Sequence, residues 1–80
     1  MEKIDVTAHF TPDGHVSPVS FTWQGKLYRV DSIGRRWKAK DGLHILVMTP
    51  GNRAYHLVFK DAANTWGLIR GAEIPTVPRV

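Results

Sequence analysis

Apolar side chains recur at every second position in several short segments of this chain, and glycine or proline residues separate those segments. In the segment from Lys3 to Phe10, apolar residues alternate with Asp, Thr and His. A period of two places the apolar side chains of a strand on one face. No segment of useful length has the 3.6-residue period of an amphipathic helix. The pattern therefore predicts an all-β protein whose strands each bury one face.

The turns between these segments predict how the strands are arranged. After the loop 11–18, the second strand is expected to begin near Val19, because Pro12 and Asp13-Gly14 end the first one. Five or six short strands in 80 residues indicate an antiparallel meander, closed as a small SH3-like barrel or a strongly bent sheet. One all-β domain is expected over residues 1–71, followed by an extended, proline-containing tail over residues 72–80.

The first predicted hairpin has its turn at Gly25-Lys26, where glycine suits the first position of a two-residue turn. This register places Trp23 opposite Tyr28 and Phe21 opposite Val30. All four side chains then share one face, as a buried sheet face requires.

The second predicted hairpin turns at Pro50-Gly51-Asn52, and two registers are open. A three-residue loop pairs Val47 with Tyr55, whereas a two-residue loop pairs Leu46 with Tyr55. The first is preferred because it keeps β-branched residues inside. The next loop, over residues 61–64, predicts that Phe59 pairs with Trp66.

The composition limits both the core and the location of the protein. There is no cysteine, so neither a disulfide framework nor a thiolate metal site is available to so small a fold. The first residues are charged and lack the apolar core of a signal peptide, and the run from Ile45 to Met48 is too short to cross a membrane. We therefore expect a soluble, cytoplasmic protein that does not associate with a membrane.

Positive charge is concentrated in one part of the chain. Eleven Lys and Arg residues against seven Asp and Glu residues give a net charge of +4. Most of the excess lies in one short segment, whose only acidic residue is Asp31. Its cationic residues are Lys26, Arg29, Arg35, Arg36, Lys38 and Lys40. This distribution permits binding to a polyanion without requiring it.

The basic segment also contains a tryptophan, and together they form a candidate binding site for nucleic acid or a partner. The candidate residues are Arg29, Arg35, Arg36, Trp37, Lys38 and Lys40. Cations neutralise phosphates, and an exposed aromatic ring stacks on an unpaired base. Gly34 is expected to mark a bulge or tight bend. In the competing interpretation, which we prefer, Trp37 returns to the core, the cations are a solvated strand face, and Arg36 packs its stem over an aromatic ring. The direction of Trp37 separates the two.

Two histidines invite a metal-site interpretation. In the preferred register, His44 and His56 are diagonal neighbours on the outer face of the second hairpin. A zinc site needs at least three protein ligands, and no carboxylate of suitable strand parity completes this one. We therefore expect surface histidines without a role, and no metal.

Catalytic motifs are also not apparent. Ser20, Ser32, His44 and Asp31 show neither the spacing of a nucleophile with its base nor a glycine-rich anion cradle. Arg70 falls on the predicted inner face and is expected to stack on Tyr55 or Trp66 with its charged end toward solvent. We expect no enzyme and no cofactor.

The chain resembles a family of small bacterial all-β domains whose function is uncharacterised. The resemblance covers residues 18–71 and is carried by a Phe-x-Trp-x-Gly-x-x-Tyr-x-Val segment, an Arg-Trp pair, and later Tyr-x-Leu and Trp-x-Leu-x-Arg segments. The matching residues are Pro18, Phe21, Trp23, Gly25, Tyr28, Val30, Ile33, Arg36, Trp37, Tyr55, Leu57, Phe59, Trp66, Leu68 and Arg70. Such domains also occur beside Y-family DNA polymerase modules, so the resemblance implies a DNA-repair setting.

Two functions follow as expectations. The first is a non-enzymatic interaction module that binds a protein partner or itself, since exposed strand edges in a small sheet favour homodimers by edge pairing. The alternative is weak, salt-sensitive nucleic-acid binding through the segment from Arg29 to Lys40.

Overall fold

The computed structural model describes residues 2–69 and 74–75. Over these residues the chain forms β-strands and no helix. The strands are β1 (Glu2–Phe10), β2 (Val16–Trp23), β3 (Lys26–Arg29), β4 (Ser32–Ala39), β5 (Gly42–Thr49), β6 (Arg53–Lys60), β7 (Thr65–Leu68) and β8 (Ile74–Pro75). Every strand pair is antiparallel. The predicted all-β fold is confirmed.

The sheet is strongly curled, and its two end strands, β3 and β4, follow one another directly in the chain. Its order is β3-β2-β1-β7-β6-β5-β4, with β8 added to β6. Two backbone hydrogen bonds hold the β3–β4 link against both sides of the sheet: Val30 N donates to Val19 O at 2.9 Å, and Asp31 N donates to Met48 O at 2.6 Å. β3 and β4 therefore form one continuous bent segment that pairs with β2 at one end and with β5 at the other. This arrangement agrees with the predicted strongly bent sheet.

The core lies on the inner face of the curl. Its fully buried members come from β2, β5, β6 and β7, and they are Phe21, Ile45, Val47, Tyr55, Leu57 and Leu68. At one end the rings of Phe21, Tyr28 and Tyr55 pack within 5.4 Å of one another, centroid to centroid. Such aromatic pairs add to area burial and help so short a chain to form a stable core.

The predicted registers of the second half of the chain are confirmed. Val47 pairs with Tyr55 across a three-residue loop, and Phe59 pairs with Trp66. Gly51 and Asn52 adopt φ of 90° and 60°, as a turn with two left-handed residues requires.

The predicted start of β2 is wrong. The strand begins at Val16, and both Val16 and Pro18 are buried, whereas Val19 is 51% exposed. The register shifts between Thr7 and Ala8, so that β2 has an extra residue there. This bulge exchanges the two faces. Proline is tolerated because β3 does not extend along this part of β2.

The register of the β2–β3 hairpin is also wrong, by two residues. The turn is Gln24-Gly25, with φ of 53° and 76°, and Phe21 lies opposite Tyr28. A turn with positive φ at both central residues matches the right-handed twist of the strands. Because the slip is an even number, the predicted inner face is nevertheless retained.

The C-terminal segment contributes one short strand. Ile74 and Pro75 pair with Ala54 and Arg53 of β6. The rest of the predicted tail, residues 72–73 and 76–80, lies outside the described residues, as does Arg70.

Candidate functional site

A bulge in β4 decides which face each of its side chains occupies. Ile33 pairs with Val47, but Arg36 pairs with Ile45, so β4 has one extra residue between them at Gly34 and Arg35. The predicted bulge is therefore confirmed. The expected return of Trp37 to the core is wrong, because the extra residue reverses the alternation beyond it.

Trp37 lies on the outer face over two histidines. Its ring stacks on that of His44, with centroids 5.2 Å apart and planes at 21°, and it lies 5.2 Å from the ring of His56. The guanidinium carbon of Arg35 is 5.8 Å from the Trp37 ring centroid, within cation–π range. Trp37 remains 37% exposed, whereas His44 is only 7% exposed. The aromatic ring thus covers a histidine and keeps part of its surface in solvent.

Three side chains form a hydrogen-bonded relay beneath Trp37. His44 Nε2 lies 2.7 Å from Asp41 Oδ1, and His44 Nδ1 lies 2.8 Å from His56 Nε2. An ionised carboxylate can only accept, so His44 Nε2 carries a proton and donates to Asp41. In the neutral pair His44 Nδ1 then accepts the proton of His56 Nε2. Among the described residues, the relay nitrogen without a hydrogen bond is therefore His56 Nδ1.

The pKa values of two members of the relay, Asp41 and His56, are lowered. The hydrogen bond from His44 is the main reason that the pKa of Asp41 lies below its ordinary value. Partial burial, followed by the proximity of His44, lowers the pKa of His56. Both shifts favour an ionised Asp41 and a neutral His56 near pH 7.

The other predicted cations do not lie with Trp37. Arg36 is on the inner side of β4, where its Nη1 donates to Val16 O at 2.7 Å and bridges β4 to the start of β2. Lys38 and Lys40 line an open cleft of about 530 Å³ at one end of the sheet. Arg29 lines a separate cleft of about 460 Å³ with Arg53. The predicted set is thus divided among different surfaces, and only Arg35 and Trp37 share the outer face.

His44 and His56 are diagonal neighbours, as the register predicts, but Asp41 was not predicted to join them. Asp41 lies in the two-residue turn between Ala39 and Gly42, where strand parity does not apply. The useful signal was the spacing Asp-x-x-His at a hairpin turn. Over the described residues, no three His, Asp or Glu side chains are grouped so that they could hold a metal ion.

Comparisons with protein-family models, with curated proteins and with solved structures found no match. The described part of the chain has no helix long and apolar enough to cross a membrane.

Proposed function

We propose that the protein is a small binding module for single-stranded nucleic acid, and that Trp37 is its stacking platform. One observation supports this proposal above the others. Trp37 is 37% exposed, is supported from one side by His44, and has Arg35 beside it. A ring that is partly exposed and held by neighbouring rings can stack on an unpaired base at little entropic cost.

The surroundings of Trp37 suit a weak, sequence-tolerant ligand. Trp37 and Arg35 lie on β4, which is an end strand of the sheet over the described residues, so a flexible strand can lie along it. Lys38 and Lys40 are exposed and line the cleft at the adjoining end of the sheet. Because β4 is an end strand of the sheet, a ligand strand that passes around this edge can bring its phosphates to them. With few cations available, affinity depends on a single stacked base and a small number of phosphate contacts.

A titration with a short oligothymidylate tests the platform. The indole and amide signals of Trp37 should shift on binding, as measured by nuclear magnetic resonance. Trp37→Leu keeps an apolar cover over His44 and removes the aromatic face, so affinity should fall about 5- to 150-fold. Phe10→Leu is the matched control, because Phe10 is also exposed but packs edge-on against Phe59 elsewhere. Equal affinity of the Trp37 variant and the wild type would exclude this platform.

The salt dependence tests the cations. If Arg35, Lys38 and Lys40 each neutralise one phosphate, affinity should fall about 20-fold between about 50 and about 200 mM salt. Arg35→Gln should reduce the logarithmic slope by about 0.7. Arg29→Gln should leave it unchanged, because Arg29 lines the other cleft. The absence of any binding at about 50 mM salt would refute the proposed function.

A second candidate is association with a protein or with a second copy of the chain. Leu27 and Val19 are 63% and 51% exposed, and both lie on the β2–β3 hairpin at one end of the sheet. Exposed aliphatic side chains beside an unpaired strand edge favour pairing with another chain. Sedimentation over a range of concentrations tests self-association, which Leu27→Lys should abolish. A wild-type protein that stays monomeric throughout would rule out the homodimer.

A further inference from the structure

The relay of Asp41, His44 and His56 is not required by the fold. Residues 44 and 56 lie on the outer face, opposite the core, and a hairpin needs neither histidine. Yet His44 is nine-tenths buried beneath Trp37, and both of its nitrogens are hydrogen-bonded. A buried polar group with both partners in place is costly to assemble and defines a particular arrangement of its neighbours.

The geometry gives the relay a direction. In the neutral state, protons point from His56 toward His44 and from His44 toward Asp41. A proton added at His56 Nδ1 makes one imidazolium, and that charge can be shared along the 2.8 Å contact between the two rings. Since both rings lie 5.2 Å from the Trp37 ring, the added charge appears directly beside the proposed platform.

We propose that polyanion binding at Trp37 is coupled to the uptake of one proton by the His44–His56 pair. The inference rests on the proposed function and concerns the regulation of that same site. Phosphates beside Trp37 stabilise the imidazolium, and the imidazolium in turn attracts the phosphates. By linkage, the two effects are equal in free energy.

The charges around the pair leave room for such coupling. Asp41 lies at the end of the relay and favours the protonation of His56, whereas the proximity of His44 opposes it. Lys60 acts on Asp41 from β6, and Arg35 lies over Trp37 from β4. The neighbouring strand β7 has no titratable residue. Among the described residues, Asp41 is thus the one anion bonded to the pair, and the cations Lys60 and Arg35 lie beside Asp41 and Trp37. An anionic ligand at Trp37 would add a second negative charge beside the protonated pair.

The test is to titrate oligothymidylate at about pH 8 and at about pH 5.5, on either side of the ordinary histidine range. Wild-type affinity should rise on acidification by several-fold, and by at most about tenfold per pH unit, because one proton is taken up. His56→Gln should bind like the wild type at about pH 8 and lose most of the acid gain. His9→Gln, which alters an exposed histidine on β1, should retain the gain.

A second variant separates the relay from a general effect of histidine charge. Asp41→Asn removes the carboxylate that favours the imidazolium, so the acid gain should shift to lower pH while the affinity at about pH 8 is kept. Thermal unfolding of each variant at about pH 8 checks that it is folded.

The possible outcomes test the proton coupling separately from the proposed nucleic-acid binding on which it rests. Binding of equal strength at both pH values, or a full acid gain in His56→Gln, would overturn the coupling and leave the proposed function standing. No binding at either pH would overturn both. A gain that His9→Gln abolishes would assign the effect to β1 and also refute the coupling.

Discussion

Gly42 directly follows Asp41 and begins β5, where it lies against the backbone of Phe59 in β6. Its replacement by alanine is expected to destabilise the protein. Gly42 has φ of 137°, a conformation that L-residues rarely adopt. A Cβ at this position would overlap the carbonyl oxygen of Phe59 and lie 3.1 Å from its carbonyl carbon. Those atoms are backbone, so no side-chain rotation can remove the overlap.

The expected loss has two parts. Backbone strain costs about 1 to 3 kcal/mol, and forcing β5 away from β6 costs about 1 to 3 kcal/mol more, as for other overpacked sites. We therefore expect Gly42→Ala to lower the free energy of unfolding by about 2 to 6 kcal/mol. A domain of this length has only about 4 to 12 kcal/mol in total, so the variant should be close to unfolding.

Gly51→Ala provides the matched control. Gly51 has φ of 90°, and a Cβ there meets nothing within 4 Å, so only the strain of about 1 to 3 kcal/mol applies. Urea unfolding of both variants measures the difference. The displaced turn should also move Asp41 off His44, which the side-chain nitrogen shifts of His44 report. Equal losses in the two variants would refute the steric argument.

Three further predictions concern the core, the β4 bridge and the acid response. Ile45→Ala should cost about 2 to 5 kcal/mol in urea unfolding, because Ile45 is fully buried; a loss below 1 kcal/mol would mean that the site collapses around the cavity. Arg36→Ala should cost about 1 kcal/mol, since its bond to a backbone carbonyl is partly solvated, whereas Arg35→Ala should be nearly neutral. The lowered pKa of His56 means that the unfolded state binds more protons, so stability should fall as pH drops below about 6.5. His56→Gln should flatten that part of the stability curve, and an unchanged slope would contradict the assignment.

Much of the fold could be predicted from the sequence because the strand period is short and the turns are marked. The pairing of Val47 with Tyr55 followed from keeping branched side chains inside, since a slip by one residue would have turned them all outward. The β2–β3 register could not be chosen in the same way. A slip by two preserves the inner face, and only the backbone of Gln24 decides between the two registers.

The candidate site was harder to predict, because strand parity places His44 and His56 but does not apply to Asp41 in its turn or to Trp37 after the bulge. Arg29 is close in sequence to the other cations, yet the bend after β3 separates it from Trp37 in space. Asp41 joins the histidines only through the geometry of a tight turn. The run of cations in the sequence therefore predicted a single basic surface that the fold divides, and it gave no indication of the site formed by Asp41, His44 and His56.

One inserted residue accounts for the outer site as a whole. Without the bulge at Gly34 and Arg35, Trp37 would keep the parity of Ile33 and enter the core. With it, the inner position passes to Arg36, which is long enough to reach Val16 O and close the gap between β4 and β2. Trp37 is thereby placed outside, opposite His44. The same local irregularity thus supplies both the bridge that supports the curled sheet and the exposed ring on which the proposed binding depends.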